Sequence, residues 1–280
     1  MSKKTITEQI KAVAPATPIE ERWLSIPRAS NMPQAAASGT LTINGIKMYH
    51  AIYGDAEGPP ILLIHGGLAH ADIWSEQVKN LMENYRVIVA DSRGHGRTNN
   101  DGSVYTYPLL AKDYIALLDH LSIDKVHLVG WSDGACIGYI ISQSNPERLA
   151  SHFAHAGHIA HEGVDPSTLE NPVFASYIDM MAADYAAMSP TPNGFENFSA
   201  SLTAMWDTPK PVNAEGLKTV TVPTLVVQSK YEEAILLDHA KMIANLIPNS
   251  SFLTLPRVSH FALFQAPGEY AAAIRQFIEQ

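Results

Sequence analysis

Cysteine is almost absent: Cys136 is the only one in 280 residues, so no internal disulfide can form and nothing demands an oxidising compartment. Basic residues are outnumbered, with 19 Lys and Arg against 28 Asp and Glu, and no Lys/Arg-rich tract occurs. The resulting net charge of −9 argues against a nucleic-acid partner. No run is long and apolar enough to span a membrane, so no membrane partner is expected. The basic start Met1-Ser2-Lys3-Lys4-Thr5 is not followed by a continuous apolar core, so no secretory signal is evident and a cytoplasmic location is the default expectation. There is no internal repeat and no low-complexity tract. What is present is length enough for one large α/β domain with a sizeable core, or for two small ones.

Residues 1–38 differ in kind from the rest, being rich in Ala and Pro around one apolar knot, Trp23-Leu24-Ser25-Ile26. They are expected to form an arm lying on the domain surface, with a short helix over residues 6–13. Residues 40–53 then alternate like a hairpin, with Asn44-Gly45 as the turn. Strand and helix patterns follow in turn: strands at 60–64, 86–90, 126–129 and 152–156, helices at 75–84, 107–121 and 135–142. Such alternation implies a mainly parallel sheet covered on both faces. The pattern breaks over residues 161–220, which hold helical segments rich in Met, Tyr, Phe and Trp punctuated by Pro190, Pro192, Pro209 and Pro211. It resumes with strands at 222–227 and 251–255 and a last helix at 267–278. The expected division is an arm (1–38), an α/β core (39–160 and 221–280) and a helical cap (161–220) placed over the carboxyl ends of the strands, where open α/β sheets bind ligands.

The string Gly130-Trp131-Ser132-Asp133-Gly134 lies between an apolar run and a small-residue run. A serine on a sharp strand-to-helix turn needs small flanking residues, because the two backbones come close, and the turn holds its hydroxyl clear of the sheet. A serine hydroxyl is a poor nucleophile, so it needs a histidine to take its proton, a carboxylate to orient that histidine and donors for the oxyanion. For the donors, His65-Gly66-Gly67-Leu68 follows a strand directly, and the amide of Asp133 with that of Gly67, or else Leu68, fits the role. His260 stands in a loop after a strand and before the last helix, well placed to reach over the sheet. The acid falls just past the strand ending near Gln228: Glu232 has the better spacing, with Glu233 its neighbouring rival. Asp91 and Arg93, in the turn Asp91-Ser92-Arg93-Gly94-His95-Gly96, are expected to pair as a structural brace.

Taken together, His65-Gly66-Gly67, Asp91-x-Arg93-Gly94-His95-Gly96, the Ser132 turn, Val222-Pro223-Thr224-Leu225 and Ser259-His260 give residues 39–280 a resemblance to the α/β-hydrolase fold superfamily. The Gly-Trp-Ser-Asp-Gly form looks closest to its valacyclovir hydrolase-like (biphenyl hydrolase-like) branch of serine esterases. The chain departs from that pattern in having Ser229 where Gly is usual, and Glu232 where Asp is usual, and a longer acid demands a shifted backbone. A nucleophile that is Ser and not Asp argues against the haloalkane dehalogenase and epoxide hydrolase branches. The resemblance implies a serine esterase acting on small-molecule carboxylic esters through an acyl-enzyme on Ser132, with Glu232 and His260 completing the triad and no metal or organic cofactor. Two other readings stand beside it: an acyltransferase or perhydrolase with the same triad, and a hydrolase-fold protein that binds a small ligand with little turnover. The sequence leaves the oligomeric state open.

For the substrate, Met180, Met181, Tyr185, Met188, Phe195, Phe198, Met205 and Trp206 suit an apolar pocket, with Trp131 beside the nucleophile, and suit equally a core internal to the cap. The carboxylate of Asp133 is placed either to bind a substrate ammonium or, as the simpler reading has it, to sit at a helix N-terminus favoured by the dipole. His152, His155, His158 and His161 recur every third residue, but on a strand alternate residues face opposite sides, so their rings are not expected to converge on a metal. His158 is placed to border the mouth of the site.

Overall fold

The computed structural model describes residues 21–208 and 212–280; the helix expected over residues 6–13 lies outside them. Eight strands form one sheet: β1 (Ala37–Ile43), β2 (Ile46–Tyr53), β3 (Pro60–Ile64), β4 (Arg86–Ala90), β5 (Val126–Trp131), β6 (Leu149–His155), β7 (Thr224–Tyr231) and β8 (Ser250–Ser259). Their order is β1-β2-β4-β3-β5-β6-β7-β8. The pairs β1–β2 and β2–β4 are antiparallel, and every later pair is parallel. Asn44 and Gly45 close the β1–β2 hairpin with φ of 46° and 84°, the left-handed pair that a two-residue hairpin turn requires.

The helices are α1 (Ser75–Leu81), α2 (Tyr107–His120), α3 (Asp133–Ser144), α4 (Pro172–Met188), α5 (Phe195–Asp207), α6 (Ala214–Leu217), α7 (Leu237–Leu246), α8 (Ala262–Gln265) and α9 (Pro267–Ile278). They cover both faces of the sheet, which is why β3, β4 and β5 read as nearly continuous apolar runs instead of alternating. The two faces can be told apart along β6. His152 lies against α3, where a Cβ on Gly138 would come within 2.1 Å of its Nε2, whereas His155, an odd number of residues on, bonds Tyr270 of α9. After β3 the chain runs out to β4 and then returns to the other side of β3 as β5. This reversal opens a crevice at the carboxyl ends of β3 and β5, the place where ligands bind in open α/β sheets.

Between β6 and β7 the segment expected to be helical holds α4, α5 and α6. Asn171 caps α4 by accepting from the amides of Val173 and Phe174. Tyr185 of α4 stacks on Phe198 of α5 at 4.9 Å, and Phe198 meets His95 edge-on at 4.7 Å, so the two helices share a core that reaches the sheet's loops.

Several elements run longer than their sequence patterns suggest. The first strand begins at Ala37 inside the expected arm, α3 starts at Asp133, β7 continues to Tyr231, and β8 continues to Ser259. The β7 and β8 extensions are hidden in the sequence because the register shifts between Ser229 and Tyr231, which breaks the alternation while still pairing Tyr231 with Ser259.

The glycines around Ser132 test this packing. A Cβ on Gly134 would lie 2.1 Å from the Ile64 carbonyl oxygen, and one on Gly130 would lie 2.4 Å from that of Gly134, whereas Gly268 has nothing within 4 Å. Gly134→Ala should therefore lose about 3 kcal/mol or more in urea unfolding, and Gly268→Ala should stay within about 0.5 kcal/mol of wild type.

Candidate active site

Ser132 occupies the turn from β5 into α3 with φ 56° and ψ −118°, a region that a non-glycine residue enters only at a cost of about 1–3 kcal/mol. Its N–H donates to the His155 carbonyl (2.8 Å), and its own carbonyl accepts from the amides of Ala135 (2.9 Å) and Cys136 (3.1 Å). The side chain makes no capping bond to the helix and is half-buried. From β3, Gly66 comes so close that a Cβ there would stand 3.0 Å from the Ser132 Cβ. The next two residues, Gly67 and Leu68 (φ 66°), turn beneath α4, where Tyr177 donates its hydroxyl to the Gly67 carbonyl at 2.6 Å. The fold thus brings residues 66–68 and the start of α3, with Asp133 as its first residue, to the same end of the sheet beside Ser132.

His65 holds this loop to its neighbour. Its Nδ1–H donates to the Gly66 carbonyl (2.8 Å) and its Nε2 accepts from the Ser92 amide (3.0 Å). Full burial pushes its pKa down to about 4, so the ring stays neutral and keeps that tautomer.

His260 is buried and fastened on four sides. The Trp131 indole N–H donates to its carbonyl at 2.8 Å, and the two rings lie 5.3 Å apart. Its backbone N–H donates to Glu233 Oε2 at 2.8 Å, and its Nδ1–H donates to Glu232 Oε1. Phe261 and Phe174 flank the ring at 5.3 and 6.0 Å. Glu232 Oε1 accepts in addition from the amides of Ala234 (3.1 Å) and Ile235 (3.3 Å), so the carboxylate is fixed before it orients the imidazole. The two adjacent glutamates therefore divide the work: Glu232 reaches the ring and Glu233 the backbone. The pairing of Tyr231 with Ser259, past a register shift, sets residues 232 and 260 side by side. Burial works to lower the His260 pKa, but the charge and hydrogen bond of Glu232, followed by the charges of Glu233 and Asp133, outweigh it and the net displacement is upward. Glu233 is also raised, by burial first and by the Glu232 charge second.

Sequence reasoning missed several supporting contacts. The carboxylate of Asp133 is held from α2 and α5: Tyr107 donates to Oδ1 (2.6 Å), and the Trp206 indole donates to Oδ2 (2.9 Å). This is the helix-start placement weighed above, engaged by two protein donors. Trp206 also covers Gly67, where a Cβ would come within 2.5 Å of its ring. The four residues named for the substrate stand in different places. Trp206 lies over Gly67 and Asp133; Trp131 is buried beneath the site among Tyr177, His260, Phe261 and Phe264; Tyr185 lies in the core between α4 and α5. Met181 borders a cavity of about 220 Å³ beside the cap, and a second cavity of about 280 Å³ lies behind Glu232; neither is lined by Ser132.

The brace differs from expectation. Asp91 pairs with Arg97 (2.7 Å) and not with Arg93, and it also accepts from the amides of Ala71 (2.7 Å) and Arg97 (2.8 Å). The turn carries left-handed glycines at Gly94 and Gly96, and Gly96 packs so close to Asp91 that a Cβ there would come within 2.5 Å of its Oδ2, so the chain folds Arg97 back onto the carboxylate. Arg93 instead pairs with buried Asp113 (2.8 Å) and with Asp101 (2.8 Å). The histidine series also separates. His152 meets α3, His155 lies between Ser229 Oγ and Tyr270 Oη at 3.1 Å from each, and the Sγ of Cys136 lies 3.4 Å from His158 Nδ1. Among the described residues, no three His, Cys, Asp or Glu side chains form a group that could hold a metal.

Comparison with known proteins places this geometry. Residues 59–196 match the family described as alpha/beta hydrolase fold. The chain has the α/β-hydrolase fold. A curated relative, the 2-hydroxy-6-oxo-6-(2'-aminophenyl)hexa-2,4-dienoic acid hydrolase of Metapseudomonas resinovorans, is 26% identical over 80% of this chain and 85% of its own. The pimeloyl-[acyl-carrier protein] methyl ester esterase of Aeromonas hydrophila is 24% identical over 79% of this chain and 96% of its own. Among solved structures, a serine hydrolase involved in carbazole degradation superposes with a TM-score of 0.75 at 23% identity, covering 87% of this chain and 98% of that one. At that identity the structural likeness is one of fold. In this fold the sheet offers the turn after β5 and the loops after β3, β7 and β8 to one crevice.

The upward displacement at His260 depends on its carboxylate. In Glu232→Gln the His260 ring should titrate at lower pH than in wild type, where its midpoint should lie above 6.5; side-chain NMR across a pH series reads both.

Proposed function

We propose that this chain is a serine hydrolase that cleaves carboxylic esters of small molecules through an acyl-enzyme on Ser132. The observation that carries the reading is a strained, half-buried serine next to Trp131, whose indole donates to the carbonyl of a histidine that has its Nδ1 held by a fixed carboxylate. With Nδ1–H committed to Glu232, the other ring nitrogen, Nε2, is the one left to act as base.

In the proposed reaction, Ser132 Oγ attacks the ester carbonyl carbon while His260 Nε2 takes the hydroxyl proton. Glu232 stabilises the imidazolium that results. The carbonyl oxygen becomes an oxyanion held by the amides of Asp133 and Gly67, with Leu68 the alternative to Gly67, and loss of one such donor costs roughly a hundredfold or more. The tetrahedral adduct collapses, the alcohol leaves with the proton from His260, and the acyl group stays on Ser132. Water, deprotonated by His260, then attacks the acyl carbon, and the second adduct collapses to release the acid as His260 returns the proton to Ser132 Oγ.

The surroundings support a compact, largely apolar substrate. Phe174, Tyr177 and Trp206 come down from the cap around His260, Gly67 and Asp133. Because Tyr177 bonds the Gly67 carbonyl and Trp206 bonds the Asp133 carboxylate, the cap is fastened to the two residues assigned to the oxyanion, so access for an ester involves parting these contacts.

Ser132→Ala should lower hydrolysis of short p-nitrophenyl esters by about a thousandfold or more while the protein stays folded. In wild type, kcat/KM should rise with pH through a midpoint above 6.5, because the base must be neutral and its raised pKa keeps it protonated to higher pH. Activity that survives in Ser132→Ala would refute the assignment.

A further inference from the structure

The segment ahead of the sheet reaches the end of β8, just before His260. Arg257 has φ 56°, a left-handed conformation for a residue with a side chain, only three positions before His260. Its carbonyl accepts from the Nε–H of Arg22 at 2.9 Å. The two remaining nitrogens of the Arg22 guanidinium meet both oxygens of Glu269, at the start of α9, at 3.0 and 2.9 Å. One residue on, Trp23 stacks on Tyr231 with 4.0 Å between ring centroids and planes 12° apart, and Tyr231 immediately precedes Glu232. Two residues further, the Ser25 carbonyl accepts from Gln265 Nε2 at 3.0 Å. That same amide grips Ser259 twice, donating to its Oγ at 2.9 Å and accepting from its N–H at 2.8 Å. Residues 22–25 thus touch the strand that carries the acid and both backbone approaches to His260. They lie outside the region matched to the hydrolase family, which begins at residue 59.

We propose that Arg22 is a positioning residue for His260: by donating to the carbonyl of left-handed Arg257 and anchoring to Glu269, it fixes the end of β8, which leads directly into His260. This rests on reading Ser132, His260 and Glu232 as the triad. A forked guanidinium suits the task because its three nitrogens bind a carbonyl and a carboxylate at once in fixed geometry. A strand end free to relax at Arg257 would shift the imidazole relative to Ser132, and displacements of about 1 Å can cost as much as about a hundredfold in rate.

The alternative is a plain tether, in which the Arg22–Glu269 ion pair only holds the segment down. Two variants separate these. Arg22→Met removes both contacts; the double variant Arg22→Glu with Glu269→Arg restores an ion pair but gives the Arg257 carbonyl no donor from position 22. Ester hydrolysis and thermal unfolding are measured for both beside wild type and Ser132→Ala. Arg22→Met should lower kcat about tenfold with KM within about twofold. The double variant should regain thermal stability while kcat stays low. Wild-type kcat in Arg22→Met, or kcat recovering in step with stability in the double variant, would overturn the proposal. Should Arg22→Met not fold, the double variant decides alone. Substantial activity in Ser132→Ala would instead remove the triad reading, and this proposal with it.

Discussion

The backbone of Ser132 is the constraint from which the rest of the site follows. At φ 56° and ψ −118° the residue turns β5 into α3 within one position, and this is possible only because both chain neighbours two residues away lack a Cβ. Gly134 faces the Ile64 carbonyl and Gly130 faces Gly134, each at a separation that a methyl group could not share. The same closeness carries Gly66 against Ser132 and so fixes where the loop after β3 lies. Strain of about 1–3 kcal/mol is a considerable part of a net stability of about 5–15 kcal/mol, and it persists because the packing on every side over-determines it.

The histidine arm is built in the opposite way, from polar contacts rather than close backbone approach. Burial of an imidazole disfavours its charged form, and here two carboxylates compensate, one on the ring and one on the backbone amide. Glu232 is itself held by the amides of Ala234 and Ile235, so the charge that steadies His260 is pre-oriented. His155 sits behind, 6.5 Å from His260 between ring centroids, and is kept neutral by burial and by the neighbouring histidine's charge. The cap joins the same network through Tyr177 and Trp206, which attach it to residues 67 and 133. These contacts tie α4 and α5 to the loop after β3 and the turn after β5.

What could be read from sequence was local and steric. Asn44-Gly45 and the Gly130–Gly134 spacing state backbone requirements that few other residues meet, and the apolar runs of β3, β4 and β5 announce strands buried on both faces. What could not be read depends on register or on distant partners. The division of roles between Glu232 and Glu233 follows from an irregularity between Ser229 and Tyr231 that no periodicity reveals. Asp91 takes Arg97 over the nearer Arg93 because a pair of left-handed glycines reverses the chain between them. Arg22 finds its partners 235 and 247 residues away, so composition could describe its segment as an arm without saying what it holds.

The central claim is that Ser132 is the residue that forms a covalent bond with substrate. Its most direct measurement is intact-protein and peptide mass spectrometry after treatment with an alkyl fluorophosphonate, which phosphonylates an activated serine with loss of fluoride. One adduct per chain is expected, located on the peptide that contains Ser132. An adduct on another residue, or a folded protein that takes up none, would contradict it.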